Sequence, residues 1–265
     1  ALPDPPLSHG GVTLLGSRTD GAATVALHRV RVLRAAGAGI LVLAAGGSDV
    51  TVDLRDGEVR DGVAVGGSDF GVAAFASGPS SSVALDVLRS AVSGRMGMGG
   101  RNVIVAASSG GRARGEVRES YVGASGQDGV IAVAYQLPAE VEVMVVGSTL
   151  ENAAQSNVEG TMLAFPHDQA AADASRVDVS IHRSTIRGAG RTPGFEGQSN
   201  NVLVTGSLLP PDQPLPQGPY RLRITDSEIE GSAGAGLRVG MPPGRDTIDP
   251  GQFHALVRGT RFIGN

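Results

Sequence analysis

Along most of the chain, apolar and polar residues alternate with period two, the pattern of strands that bury one side only. One motif recurs. VDVSIHRSTIRGAG, from Val177 to Gly190, is echoed by LRITDSEIEGSAG from Leu222, with the same order of apolar and polar positions. The motif occurs eight times, anchored on Leu27, Leu54, Val87, Val117, Val145, Ile181, Ile224 and Val257, at spacings of 27, 33, 30, 28, 36, 43 and 33 residues. A constant motif with variable connections predicts a solenoid of fixed rungs and changing corners. The alternation and the β-branched content exclude helical repeats.

Two columns define the rung. Five residues past each anchor stand Val32, Val59, Val92, Val122, Leu150, Ile186, Ile229 and Phe262, all apolar. Three past the anchor, six successive rungs carry a hydroxyl: Ser90, Ser120, Ser148, Ser184, Ser227 and Thr260. Stacked strands lie about 4.8 Å apart, so these hydroxyls are expected to bond neighbouring backbone and not to act as nucleophiles. A second alternating strand follows each rung: GILVL at Gly39, GVAAF at Gly71, NVIVA at Asn102, GVIAV at Gly129, GTMLA at Gly160, NVLVT at Asn201 and GLRVG at Gly236. An earlier copy, GVTLL at Gly11, precedes the first anchor.

This repeat grammar resembles the right-handed parallel β-helix of the pectate-lyase-like fold over nearly the whole chain. The expected fold class is all-β: one β-helix solenoid domain of about eight coils over 1–265, with 1–10 as an N-terminal extension. Neither end shows an amphipathic capping helix, so the segment is expected to belong to a longer chain or to have its ends covered by partners. End-to-end or lateral self-association, as in a fibre, is one reading of such ends. The resemblance also implies a location outside the cell or on its surface.

Enzymes of this fold are expected to place a polysaccharide groove on the second-strand face, with acidic calcium ligands and an Arg or Lys base, or with clustered aspartates. The outward positions read there are Leu41, Leu43, Ala73, Phe75, Ile104, Ala106, Ile131, Val133, Tyr135, Met162, Ala164, Leu203, Thr205 and Arg238. Only Arg238 is charged, and the positions before it offer no carboxylate. So apolar a stripe, if exposed, marks a contact surface. The longer connections toward the C-terminus hold His167, Asp168, Asp173, Arg191, Glu196, Asp212, Arg245, Asp246 and Asp249. A catalytic set, if present, would join Arg238 with Asp168, Glu196 and Asp246. A binding set would use Phe75, Tyr135, His167, Arg191 and Thr205.

Composition narrows the chemistry. There is no Cys, which removes disulfides and thiolate sites, and all 22 basic residues are Arg, which removes a lysine base. Arg with abundant Ala, Gly and Val suits a GC-rich, bacterial genome. The net charge of −4 gives no reason to expect nucleic acid as a partner. The longest apolar runs fall far short of the roughly 18 residues of a membrane span. The five histidines lack metal-ligand spacing, and the glycine clusters at Gly46 and Gly97 lack the lysine of a phosphate loop. On the first-strand face, Asp53, Asp86 and Glu116 stack one residue before their anchors, with Arg55 and Arg118 beside them. Ion pairs between coils explain that stack better than a cation site. No metal site is assigned, and calcium is the only cofactor the resemblance brings in. The leading expectation is a non-catalytic scaffold for a polysaccharide or a protein; the alternative is a polysaccharide lyase or glycoside hydrolase.

Overall fold

The computed structural model describes residues 11–17, 21–62, 69–97, 99–136, 138–163, 171, 174–190, 199–205, 218–240 and 253–265. Its strands form three parallel sheets of eight strands each. Every third strand in the chain joins the same sheet, which makes the protein a parallel β-solenoid. Each coil contributes one strand to each sheet: coil 4, for example, runs through Gly100–Ser108 in sheet 1, Arg112–Arg118 in sheet 2 and Tyr121–Ser125 in sheet 3. The anchors pair in register, Val117 with Val87 and Val145 and Ile181 with Ile224, and so do the residues five beyond them, Val122 with Val92 and Leu150.

Inward side chains of all three sheets meet in one continuous core, including Ile40, Leu54, Val59, Val105, Ile181, Ile186 and Ile224. Because each coil buries the flank of the next, no coil depends on its own short strands for stability.

The corner between sheets 2 and 3 is made by one residue in the left-handed region. Two positions past the anchors, Arg29, Asp56, Arg89, Glu119, Gly147, Arg183, Asp226 and Gly259 have φ between 46° and 61°. Their N–H groups continue the ladder, as in Glu119 N–H to Val146 O at 2.9 Å. The serine that follows completes the corner. The N–H groups of Gly57, Ser90, Ser120, Ser148 and Ser184 donate to the Oγ of Ser90, Ser120, Ser148, Ser184 and Ser227, at 3.0 to 3.2 Å. Each hydroxyl then donates to the carbonyl two residues back, 2.7 Å for Ser120 to Arg118. Thr260 donates likewise to Arg258 at 3.2 Å. The hydroxyl ladder is therefore structural, as its spacing predicts.

A second spine lies where sheet 3 returns to sheet 1. Asn157 Nδ2 donates to Arg187 O at 2.9 Å and to Asn201 Oδ1 at 2.8 Å, and Asn201 Nδ2 donates to Glu230 O at 2.9 Å and to Asn265 Oδ1 at 3.2 Å. Hence Asn opens several sheet 1 strands: its amide bonds a corner carbonyl of its own coil and the Asn of the next. Where coils carry Gly instead, the backbones approach closely. A Cβ at Gly129 would stand 2.6 Å from Asn157 O.

Candidate functional site

The outward face of sheet 1 is not an exposed stripe. Leu41, Ala73, Ile104, Ala106, Ile131 and Val133 are at most 7% exposed and form a second apolar cluster, flanked by Leu43, Phe70, Phe75 and Tyr135. Phe70 and Phe75 pack edge to face at 6.2 Å.

Register corrects the sixth coil. Glu159, not Met162, stands in the outward column, between Ile131 and Leu203, and Thr161 stands between Val133 and Thr205. Met162 points inward and is fully buried in the core. Aligning GTMLA on its glycine shifts the strand by three residues, an odd number, and so exchanges its faces. The equivalent of NVIVA and NVLVT is NVEGT, from Asn157, and this recurrence of Asn-Val is the signal that locates Glu159.

A buried polar patch results. Asp128 and Ser156 are paired on adjacent strands, and Glu159 lies three residues beyond Ser156. Asp128, Ser156, Glu159 and Thr161 are at most 4% exposed. Arg101 Nε donates to Asp128 Oδ2 at 3.1 Å. Burial raises the Glu159 carboxyl well above its ordinary range, and the neighbouring Asp128 carboxyl raises it further, against the pull of Arg101. Asp128 is also raised by burial, with Arg101 opposing. Burial raises Tyr135 as well, whose ring feels Arg101, Glu159 and Asp128. Glu159 is in hydrogen-bond contact with Asp128 and Ser156, and Thr161 Oγ1 has no partner among the described residues. The pair is chemically a proton-holding carboxyl beside a carboxylate held by Arg101.

Calcium takes six to eight oxygen ligands, whereas this patch offers two carboxyls, one of them already joined to Arg101; the described residues do not fit that ion. No cluster of three or more His, Asp or Glu suited to a metal occurs among them.

Of the residues singled out from the sequence, Phe75, Tyr135, Thr205 and Arg238 all lie on this face. Phe75 and Tyr135 border the apolar cluster, Thr205 is buried beside Thr161, and Arg238 is half-buried. Arg238 follows Leu203 in the column of Glu159, two strands or about 10 Å away at the usual spacing. Asp168, Glu196, Asp246, His167 and Arg191 lie outside the described residues.

In the early coils Arg118–Asp86 on the outward face of sheet 2 and Arg89–Asp56 at its corner, 2.8 Å, link neighbouring coils as expected, whereas Arg55–Asp53 at 2.6 Å and Arg118–Glu116 at 3.5 Å lie within one strand. The late coils differ. Asp178 and Ser180 in coil 6, Arg221 and Arg223 in coil 7, and His254 and Leu256 in coil 8 line an open concavity of about 570 Å³. Asp178 is engaged by Arg176 at 2.8 Å, and burial raises its carboxyl against the pull of Arg176 and Arg221. Sequence reading missed this concavity because it is defined by charge balance between coils, not by a motif.

No family model matches the chain, and neither the curated proteins nor the solved structures contain a significant match to it.

Proposed function

We propose that the protein is a β-solenoid scaffold, acting outside the cell or on its surface, that binds a polysaccharide across the outer face of sheet 2 in its last three coils. The observation that carries this reading is the concavity lined by Arg221, Arg223 and His254. It is open and polar and sits on backbone tied coil to coil by the serine ladder, so the backbone pays no large ordering cost on binding and the cost falls on the exposed arginine side chains. Titration calorimetry against a panel of neutral and acidic polysaccharides tests it. Binding that Arg221→Ser and Arg223→Ser weaken supports the reading; no binding by any polysaccharide rejects it.

A second reading rests on Asp128 and Glu159. Glycosidic bond cleavage also pairs a protonated carboxyl with an ionised one, but about 5–9.5 Å apart across the bond; Asp128 and Glu159 are in hydrogen-bond contact and at most 4% exposed, so this reading requires the face to open and the carboxyls to part. Release of reducing ends, or of unsaturated product, that Glu159→Gln abolishes would favour an enzyme.

A further inference from the structure

We infer that the outer face of sheet 3 is a self-association surface: two copies of the chain pack face to face over coils 3 and 4, with their solenoid axes opposed. It is a different face from the sheet 2 concavity and does not depend on the polysaccharide reading.

The first argument is exposure. Outside the first and last coils, Met96 and Tyr121 are the large apolar side chains that stand exposed among the described residues, at 56% and 38%. Both stand at sheet 3, Tyr121 at the start of its coil 4 strand and Met96 one residue past its coil 3 strand. The Tyr121 phenol lies over Gly123, where a Cβ would collide with its hydroxyl. That hydroxyl donates to Glu151 Oε1 at 2.9 Å, and Arg187 Nε donates to Glu151 Oε2 at 2.6 Å. The ring is thus held in one place without being covered. Beside it in coil 3, the residues paired with Tyr121 and Gly123 are Ala91 and Ser93, a shelf of small side chains. An exposed apolar ridge of this kind marks a contact surface.

The second argument is shape. A two-fold axis running along the strands, between coils 3 and 4, sets coil 3 of one copy against coil 4 of the other, twice over. Each Tyr121 then meets the Ala91 shelf of the second copy, so one ridge beside one recess makes the face complementary to itself. Five coil steps of about 4.8 Å by about 13 Å of strand give a face of about 300 Å². A stable interface takes about 800 Å² from each partner, so the dimer is a weak one, with a Kd on the order of 0.1 mM.

The third argument is charge, which fixes the direction. The outward positions of coils 3 and 4 are uncharged, and those on either side are not. In coils 1 and 2, Glu58 pairs with Arg31 at 2.7 Å and also with Arg60, which leaves one net positive charge. In coils 5 to 7, Arg187 holds Glu151 and also feels Glu230, which leaves one net negative charge. Glu228 and Arg261 cancel each other. Opposed solenoids set the positive triplet of one copy against the negative triplet of the other, at both ends of the contact. Parallel solenoids would set each triplet against itself. Exposed pairs of this kind add little affinity and chiefly select the orientation.

The test is sedimentation velocity of the whole chain over a concentration series, at low and high salt, with urea midpoints as the control for folding. The wild type is expected to show a monomer–dimer equilibrium that weakens as salt rises. Ala91→Arg fills the shelf from an outward position and should abolish the dimer at an unchanged urea midpoint. Arg60→Glu and Glu230→Arg should each weaken dimerisation about tenfold, since each change counts twice in a two-fold dimer. Combined in one chain they exchange the signs of the two triplets, and the double variant should recover most of the loss. A double variant as weak as either single one overturns the inference, because only opposed solenoids give the recovery. A protein that stays monomeric at millimolar concentration overturns it, and so does a dimer that Ala91→Arg leaves intact.

Discussion

The backbone N–H of Ser120 donates to the hydroxyl of Ser148 in the next coil at 3.1 Å, and that hydroxyl donates to Val146 O at 3.0 Å. Ser148 is 3% exposed, so no water replaces it readily. Ser148→Ala leaves the buried Ser120 N–H without its acceptor, while Val146 O keeps the Glu119 N–H, and should cost about 1–3 kcal/mol, read as a lower urea midpoint. Ser148→Thr keeps the hydroxyl, as Thr260 does at its own coil, and should recover part of that loss. A Thr variant no more stable than the Ala variant would show that the methyl, not the hydrogen bond, decides.

Gly147 tests the turn that precedes the ladder. Its φ is 58°, and a Cβ there would meet only Glu119 Cγ at 3.8 Å, an ordinary contact. Space is therefore available, and the cost of substitution is conformational. Gly147→Val should destabilise by about 1–2 kcal/mol, whereas Gly147→Asn should be nearly neutral, since Asn tolerates the left-handed region. Thermal unfolding of the two variants separates them.

The repeat made the solenoid, its register at the anchors and its serine ladder legible, because each depends on residues that recur at fixed distance from Val117, Ile181 and their equivalents. Local exceptions were less legible. The shift at Gly160 conceals Glu159, since a glycine common at strand starts occurs here in mid-strand; only Asn157 discloses the true phase. Burial of Leu41 and Ile131 was not readable at all, because alternation tells which face a side chain takes but not what covers that face. The cation surface on coils 7 and 8 required knowing which strands lie side by side.

Arg95 and Asp69 form a fully buried pair, Nη1 to Oδ1 at 3.2 Å. Arg95 also donates to Ala35 O at 3.1 Å, but its Nε and Nη2 find no partner among the described residues. Burial lowers the guanidinium, and Asp69 offsets this only in part. Arg95→Met leaves Asp69 as a buried carboxylate and should cost about 3–5 kcal/mol. Arg95→Met with Asp69→Asn removes both charges and keeps an acceptor for the Gly97 N–H, 3.3 Å from Asp69 Oδ2. The double variant is expected to be markedly more stable than the single one. A double-mutant cycle in urea measures the coupling, and additive effects would mean that the two charges do not depend on each other.

Glu159 gives the fold a pH dependence with a definite sign. Its folded carboxyl holds a proton well above the ordinary value of 4.5, first through burial and then through Asp128. A raised carboxyl is stabilising in its protonated form, fully so below the unfolded value, and this contribution is lost as pH rises through the folded one. The loss should start near pH 4.5, proceed at up to about 1.4 kcal/mol per pH unit for one proton, and level off beyond the folded value. Glu159→Gln cannot ionise and still fills the site. The two proteins should therefore be similarly stable at acid pH, with the variant gaining on the wild type as pH rises. Urea unfolding at a series of pH values gives the difference curve. A flat difference would mean that water or a cation reaches Glu159 and holds its charge; a falling one, with the variant weaker at high pH, would mean that Arg101 serves Glu159 more than Asp128.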